Sequence, residues 1–286
     1  MVTTAQRRAV VTETTARRGL PLARACRHLG VHRSLLRYRP RRAVPAGLAE
    51  RLRELATAKP RWGSGRLTWR LRREGWRINH KRIERLVRLE RLQVGQRRRR
   101  KRAAVARVPA PVPTRPDQRW SMDFMRDALA DGHPYRIWTL VDDATREAPL
   151  LLADRSLPAA RIVEALDTLL LVRGRPAAIV CDHGPEFVSL ALDQWASSHG
   201  IRLDFIRPGR PVENCFIESF NGKLRDECLN QHHFLTLAEA QTRIETWRQE
   251  YNTERPHRTL GQRTPAEYAA LFTPQETAQT EPILRC

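Results

Sequence analysis

The chain has 286 residues, 41% of them hydrophobic, and a formal net charge of +21. That length holds one substantial domain plus one or two smaller ones, and the composition is globular rather than disordered. No apolar run approaches the roughly 18 residues of a membrane span, and residues 1–7 lack the apolar segment of a signal peptide. No membrane partner and a cytoplasmic, nucleoid-associated location are therefore expected. The five cysteines are scattered and odd in number, with no CxxC pair, which argues against a disulfide framework or a zinc knuckle.

The charge is uneven. Residues 1–114 carry 32 Lys and Arg against 6 Asp and Glu, a net of +26; residues 115–286 carry 20 against 25. A basic face of this size neutralises phosphates and releases their counterions, so nucleic acid is the expected partner.

In chain order, residues 1–40 read as short helices. The stretch 20–29 is amphipathic and stops at Gly30; 31–38 follows. Helix, Gly-containing turn and Arg-bearing helix is the helix-turn-helix pattern. Residues 46–58 carry Leu48, Leu52 and Leu55 at helical spacing, and 66–74 ends at Gly75. Asn79 is placed to cap a helix over 80–92, with Ile83, Leu86, Val87 and Leu89 on its apolar side and Lys81, Arg82, Arg85 and Arg88 on the other. Residues 1–94 thus read as an all-α, helix-turn-helix-type DNA-binding region, with those four cations as contacts. The linker 95–119 holds a basic block that includes Arg98, Arg99, Arg100 and Lys101, also candidate DNA contacts. Its alternating Pro109, Pro111 and Pro113 exclude helix.

Residues 120–270 read as a mixed α/β domain, and 271–286 as a tail. Strands are expected at 120–124, 135–142, 148–152, 177–181 and 201–206; helices at 158–173, 188–199, 213–229 and 237–251. Thr236 and Glu239 have the spacing of a capping box for the last. Three strands in succession point to antiparallel pairing first, then parallel additions, with helices on the sheet's faces.

Three acids stand out in this domain. Asp123 follows Trp120-Ser121-Met122 at the head of a strand. Asp182 ends the apolar run Ala177-Ala178-Ile179-Val180-Cys181, and Glu218 follows it with 35 residues between. Carboxylates supplied from two strands and a helix suit a pair of Mg²⁺ ions, which take few hard oxygens and keep positions for water and phosphate. Two such ions stabilise both the attacking and the leaving oxygen of a phosphodiester.

The chain resembles the IS3-family insertion-sequence transposases, specifically the product of their second reading frame. The matching stretches are Trp120-Ser121-Met122-Asp123-Phe124-Met125-Arg126-Asp127, Val141-Asp142-Asp143-Ala144-Thr145-Arg146-Glu147, Asp182-His183-Gly184-Pro185-Glu186-Phe187, Glu218-Ser219-Phe220-Asn221-Gly222-Lys223-Leu224-Arg225-Asp226-Glu227-Cys228-Leu229-Asn230 and Tyr251-Asn252-Thr253-Glu254-Arg255-Pro256-His257-Arg258-Thr259-Leu260-Gly261. The likeness covers nearly the whole chain, and the block around Glu218 is highly specific. It implies an RNase H-like, retroviral-integrase-type core with a D-D-35-E site, in which Asp123, Asp182 and Glu218 are catalytic and hold Mg²⁺, two ions, with Mn²⁺ as a substitute.

Arg225, seven residues past Glu218 and on its helix face, matches a basic family position that contacts terminal DNA; Lys223 lies off that face. The implied partners are double-stranded DNA (element ends and target), further copies of this chain on that DNA, and an upstream-frame product or frameshift fusion. Two positions depart from the family pattern: His183 stands where Asn is usual, and Glu213 where Gln is common. Other readings are an RNase H-like host nuclease and a DNA-binding regulator with a decayed core. A nuclease would cut without joining, and a regulator would only bind.

Overall fold

The structure, a computed structural model, describes residues 4–37, 45–95, 112–207 and 214–272. Arg98, Arg99, Arg100, Lys101, Glu213 and most of the tail lie outside the described residues. The chain falls into two compact units, Met1–Arg51 and Leu52–Cys286.

The first unit holds α1 (Thr4–Arg18), α2 (Leu22–His28) and α3 (Arg33–Arg37). Val11, Ala25 and Cys26 form its small core, with Val31 and Leu36 against them. Gly30 turns the chain between α2 and α3 at φ +60°, a conformation most residues avoid. The sequence did not set α1 apart as one long helix. Val11 is its one buried apolar side chain among those described, too little to make a repeat.

α4 (Leu48–Ala58), α5 (Ser64–Arg73) and α6 (His80–Leu89) follow. Leu48, Leu52 and Leu55 are buried as their spacing predicts. Asn79 caps α6, its side chain accepting from Lys81 N at 3.1 Å. Ile83, Leu86 and Val87 are buried, but Leu89 is 64% exposed, so the apolar stripe ends a turn earlier than the sequence suggests. Arg91, at φ +56°, breaks the helical path soon after α6 ends.

The remainder is a five-stranded sheet in the order β3-β2-β1-β4-β5. Its strands are β1 (Trp120–Ala128), β2 (Pro134–Asp142), β3 (Leu150–Asp154), β4 (Ala178–Cys181) and β5 (Arg202–Phe205). β1–β2 and β2–β3 pair antiparallel, and β1–β4 and β4–β5 parallel, as expected from three strands in succession. β1 runs four residues longer than expected, because Met125, Arg126, Asp127 and Ala128 continue the ladder against Pro134–Ile137.

Alternation along β1 sends side chains to two different layers. Trp120 and Met122 join a core under α7 (Ala159–Arg173) and α8 (Leu190–Ser198), with Ile162, Leu166, Leu192 and Trp195. Met125 joins the other core, under α9 (Cys215–Glu227) and α10 (Leu237–Thr253), with Ile217, Phe220, Leu224, Ile244 and Trp247. Period two therefore places Asp123 on the α9 side. At the start of α10, Thr236 caps Glu239 N at 3.1 Å, while Glu239 reaches Leu235 N rather than closing the box. A full capping box forms instead at Thr264 and Glu267, opening α11 (Pro265–Ala269).

Candidate active site

Asp123 sits mid-strand on β1, opposite Thr139 of β2. Its Oδ1 accepts from Phe124 N at 2.7 Å and its Oδ2 from Asn221 Nδ2 at 2.8 Å. Burial, then the negative charges of Asp182 and Glu218, push the carboxyl up to about 6 despite those two bonds. Asp182 and Glu218 thus both act electrostatically on Asp123, although β1, the end of β4 and α9 lie far apart in sequence.

Asp182 leaves the C-terminal end of β4, and its Oδ1 accepts from Gly184 N at 2.9 Å. A Cβ on Gly184 would stand 3.0 Å from that oxygen, so any larger residue here would push the Asp182 carboxylate aside by a few tenths of an ångström. Past the turn, Glu186 pairs with Arg136, which lies over Phe124 at 4.1 Å, and Phe124 stacks on Phe187 at 4.9 Å. His183 packs against Phe205 with ring centroids 5.3 Å apart.

α9 supplies Glu218. Ile217, Phe220 and Leu224 are buried beneath it. Glu218, Asn221 and Arg225 follow one another at three- and four-residue steps along the neighbouring face. Arg225 Nη2 donates to Arg126 O of β1 at 2.9 Å, three residues beyond Asp123. Lys223 turns away, its ammonium donating to Ser219 O and Oγ at 2.9 and 2.8 Å.

The sequence missed Asn221, which fixes Asp123. Its place one turn after Glu218 was the available signal. It also missed Asn214, buried just before α9 and donating to Met122 O at 3.4 Å. Asp142 and Asp143 serve the scaffold. Asp142 accepts from Asp117, Ala144 and Thr145 backbone N–H groups, and Asp143 from Arg119 at 2.6 Å and Ser121 Oγ at 2.7 Å. His232 uses both ring nitrogens locally, on Cys228 O at 2.8 Å and Arg243 Nε at 3.0 Å.

Of the α6 cations, Lys81, Arg85 and Arg88 are exposed and Arg82 is half-buried. Part of the neighbouring positive charge is spent within the molecule. Lys59, Arg61, Arg66, Arg70 and Arg73 pair with Glu250, Asp226, Glu227, Glu254 and Glu267. The net of +26 in residues 1–114 therefore overstates what is free to meet a polyanion.

Among the described residues no three or more His, Cys, Asp or Glu close into a cation cage as they stand. The donor set still suits Mg²⁺. That ion is held by one or two carboxylates and keeps the rest of its shell for water and phosphate, so an open group of hard oxygens is what it takes.

This is the core of a DNA-integrase-type protein carrying a helical region ahead of it. The integrase core domain family matches residues 113–211 and again 199–265, and an HTH-like domain matches 46–101. The chain is 46% identical over 249 residues to an uncharacterized 31.7 kDa protein of insertion element IS407 from Burkholderia multivorans (strain ATCC 17616 / 249), covering 86% of this chain and 90% of that one. It is 42% identical to an uncharacterized 39.2 kDa protein of insertion element IS476 from Xanthomonas euvesicatoria, covering 91% and 75%. It is 26% identical to the putative transposase InsK for insertion sequence element IS150 of Escherichia coli (strain K12), covering 73% and 77%. In fold it is similar to a chain of the simian T-cell lymphotropic virus intasome, with a TM-score of 0.52, 16% identity and coverage of 82% and 78%. The chain belongs to the IS3-family insertion-sequence transposases, and its sheet and flanking helices are their RNase H-like integrase core.

Proposed function

We propose that this chain cleaves and joins DNA strands at the ends of an insertion element, with Asp123, Asp182 and Glu218 as a D-D-35-E site for two Mg²⁺ ions. The observation that supports the reading is the burial of Asp123 within the electrostatic reach of two further carboxylates, Asp182 and Glu218, which together drive it up to about 6. Uncompensated, such a group costs free energy; a divalent cation offsets it. Bound Mg²⁺ would activate a water or 3′-hydroxyl and neutralise charge developing on the phosphate. The chain's own residues set the geometry. Asn221 and Phe124 N fix the two oxygens of Asp123, Gly184 N fixes one oxygen of Asp182, and the buried Ile217, Phe220 and Leu224 anchor α9, from which Glu218 would reach the metals. Arg225 would place the DNA end by charge-assisted bonds to phosphate.

Asp123→Asn, Asp182→Asn and Glu218→Gln are each expected to lower Mg²⁺-dependent cleavage by about a thousandfold or more, with duplex binding retained. Cleavage near the wild-type rate by any one of them removes that residue from the ligand set.

Duplex affinity is assigned to the helical region, 1–94, with the linker 95–119. Neutralising Lys81, Arg85 and Arg88 to Gln together should weaken binding uniformly across sequences. It should also flatten the plot of log affinity against log salt by about 3, roughly one per lost phosphate contact. An unchanged slope takes α6 off the DNA.

A further inference from the structure

A second cleft, of about 530 Å³, opens on the side of α9 away from the carboxylates. Arg66 of α5, Arg146 of the β2–β3 turn, Lys223 of α9, and Arg255, His257 and Arg258 beyond α10 all line it. Glu227 answers two of them, Arg255 through bonds of 2.6 and 2.8 Å and Arg66 at 3.4 Å, while the negative charge of Asp143 acts on Arg146 without a hydrogen bond to it. Among the described residues, Lys223 bonds only to Ser219, through its carbonyl and hydroxyl oxygens. Arg146 lies 3.8 Å over Phe216, and its Nη1 is buried without a hydrogen-bond partner. His257 is 93% buried, packed edge-on against Tyr251 at 5.1 Å, and its Nε2 also lacks a partner. Buried polar atoms in native proteins are nearly always satisfied, so Arg146 Nη1, which can only donate, is short of an acceptor at this cleft, and His257 Nε2 is short of a partner.

The energetics agree with the geometry. Burial, with the repulsion of Arg255, Arg66 and Arg146, lowers Lys223 to about 7, although Glu227 pulls the other way. Burial and the same neighbours, Lys223 included, lower His257 to about 2. Cations packed this closely repel one another until an anion joins them.

We propose that this cleft is an anion site that takes one phosphate of a DNA strand. Arg146 Nη1 and the Lys223 ammonium would donate to its oxygens, with Arg258 at the rim. His257 Nε2 would donate in the tautomer or protonation state that carries a hydrogen there. The assignment to a strand rests on the transposase reading; the anion site itself does not, because free phosphate would use the same donors. Since α9 carries Glu218 on its neighbouring face, a phosphate held here lies along the same helix as the strand at the carboxylates.

The test is calorimetry on the full chain at pH 7.5, at fixed ionic strength, in two buffers of different ionisation enthalpy. The probes are thymidylyl-thymidine, which bears one phosphodiester that does not titrate near neutrality, thymidine, and sulfate. Binding of the dinucleotide but not of thymidine is expected, with proton uptake as Lys223 becomes charged. Lys223→Met should weaken it about tenfold and remove the uptake, and Arg258→Gln, at an exposed rim position, should weaken it less. Asp123→Asn should bind the dinucleotide as the wild type does, so a failure of the carboxylate reading is separable from a failure here. Equal affinity for thymidine, or unchanged affinity and proton uptake in both cleft variants, overturns the site. Sulfate binding as tightly as the dinucleotide and displacing it overturns the assignment to a strand.

Discussion

Two faces of α9 carry opposite chemistry. On one, Asn221 bonds Asp123, and burial, with the negative charges of Asp182 and Glu218, raises Asp123 to about 6. On the other, Lys223 faces Arg66, Arg146 and Arg255, and burial with like positive charge lowers it to about 7. Each group is pulled toward its neutral form because the charge that would complete it is not part of the chain. On the proposed reading, one helix divides the two halves of a phosphodiester complex, with metal cations at one face and phosphate at the other. Buried apolar residues of α9, Ile217, Phe220 and Leu224, keep the faces from rotating relative to the sheet.

Changes confined to one face should leave the other intact. The largest effect is expected on the carboxylate face. Asn221→Ala removes the bond to Asp123 Oδ2, which favours the ionised form. Asp123 should then titrate higher still, and the acid limb of the cleavage profile should move to higher pH. Losing a residue that orients a metal ligand costs about 10–100-fold in activity. A fall in rate with an unmoved acid limb would reduce Asn221 to a packing role. Arg225→Ala should lower joining of a pre-cut end about tenfold, with Arg225→Lys recovering part of it, since a point charge replaces the fork incompletely. The Mg²⁺-induced rise in melting temperature should be unchanged in both Arg225 variants. Wild-type joining by Arg225→Ala would leave it only the bond to Arg126 O.

The two faces were unequally legible in sequence. The strands of the core announced themselves through apolar runs such as Ile179-Val180-Cys181, and the change from antiparallel to parallel pairing followed from their order. The three carboxylates could be proposed from sequence because each falls in a short block, Asp123 within a strand, Asp182 at a strand end and Glu218 along a helix. The cation face was not. Arg66, Arg146 and Arg255 come from three separated segments, and nothing in a basic sequence separates an Arg paired to a carboxylate from one left open. The five ion pairs from Lys59, Arg61, Arg66, Arg70 and Arg73 to the core were hidden for the same reason. Long-range charge pairing leaves no periodic mark.

The smallest expected effect is thermodynamic, and it tests the claim of crowding directly. Folding raises Asp123 from an ordinary value of 3.8 to about 6. The native state therefore holds this proton more tightly than the unfolded chain. The contribution to stability is present in full below pH 4 and is lost as pH rises through 6. Above that, an ionised, mostly buried carboxylate works against the fold. Asp123→Asn removes the charge and keeps the shape. Its carbonyl can still accept from Phe124 N. The Asn221 amide, whose Oδ1 is buried without a partner, can turn to accept from the new amide nitrogen. In the absence of divalent metal the variant should be more stable than the wild type at pH 7.5, by about 1–2 kcal/mol after allowing for partial exposure. The gap should shrink steadily as pH falls to 4.5. Adding Mg²⁺ should reverse the order at pH 7.5, because only the wild type gains binding energy on folding. Thermal melts across that range, with and without Mg²⁺, measure all three. A variant less stable at pH 7.5 in the absence of metal, by an amount independent of pH, would mean that Asp123 is held by its hydrogen bonds rather than strained by its neighbours.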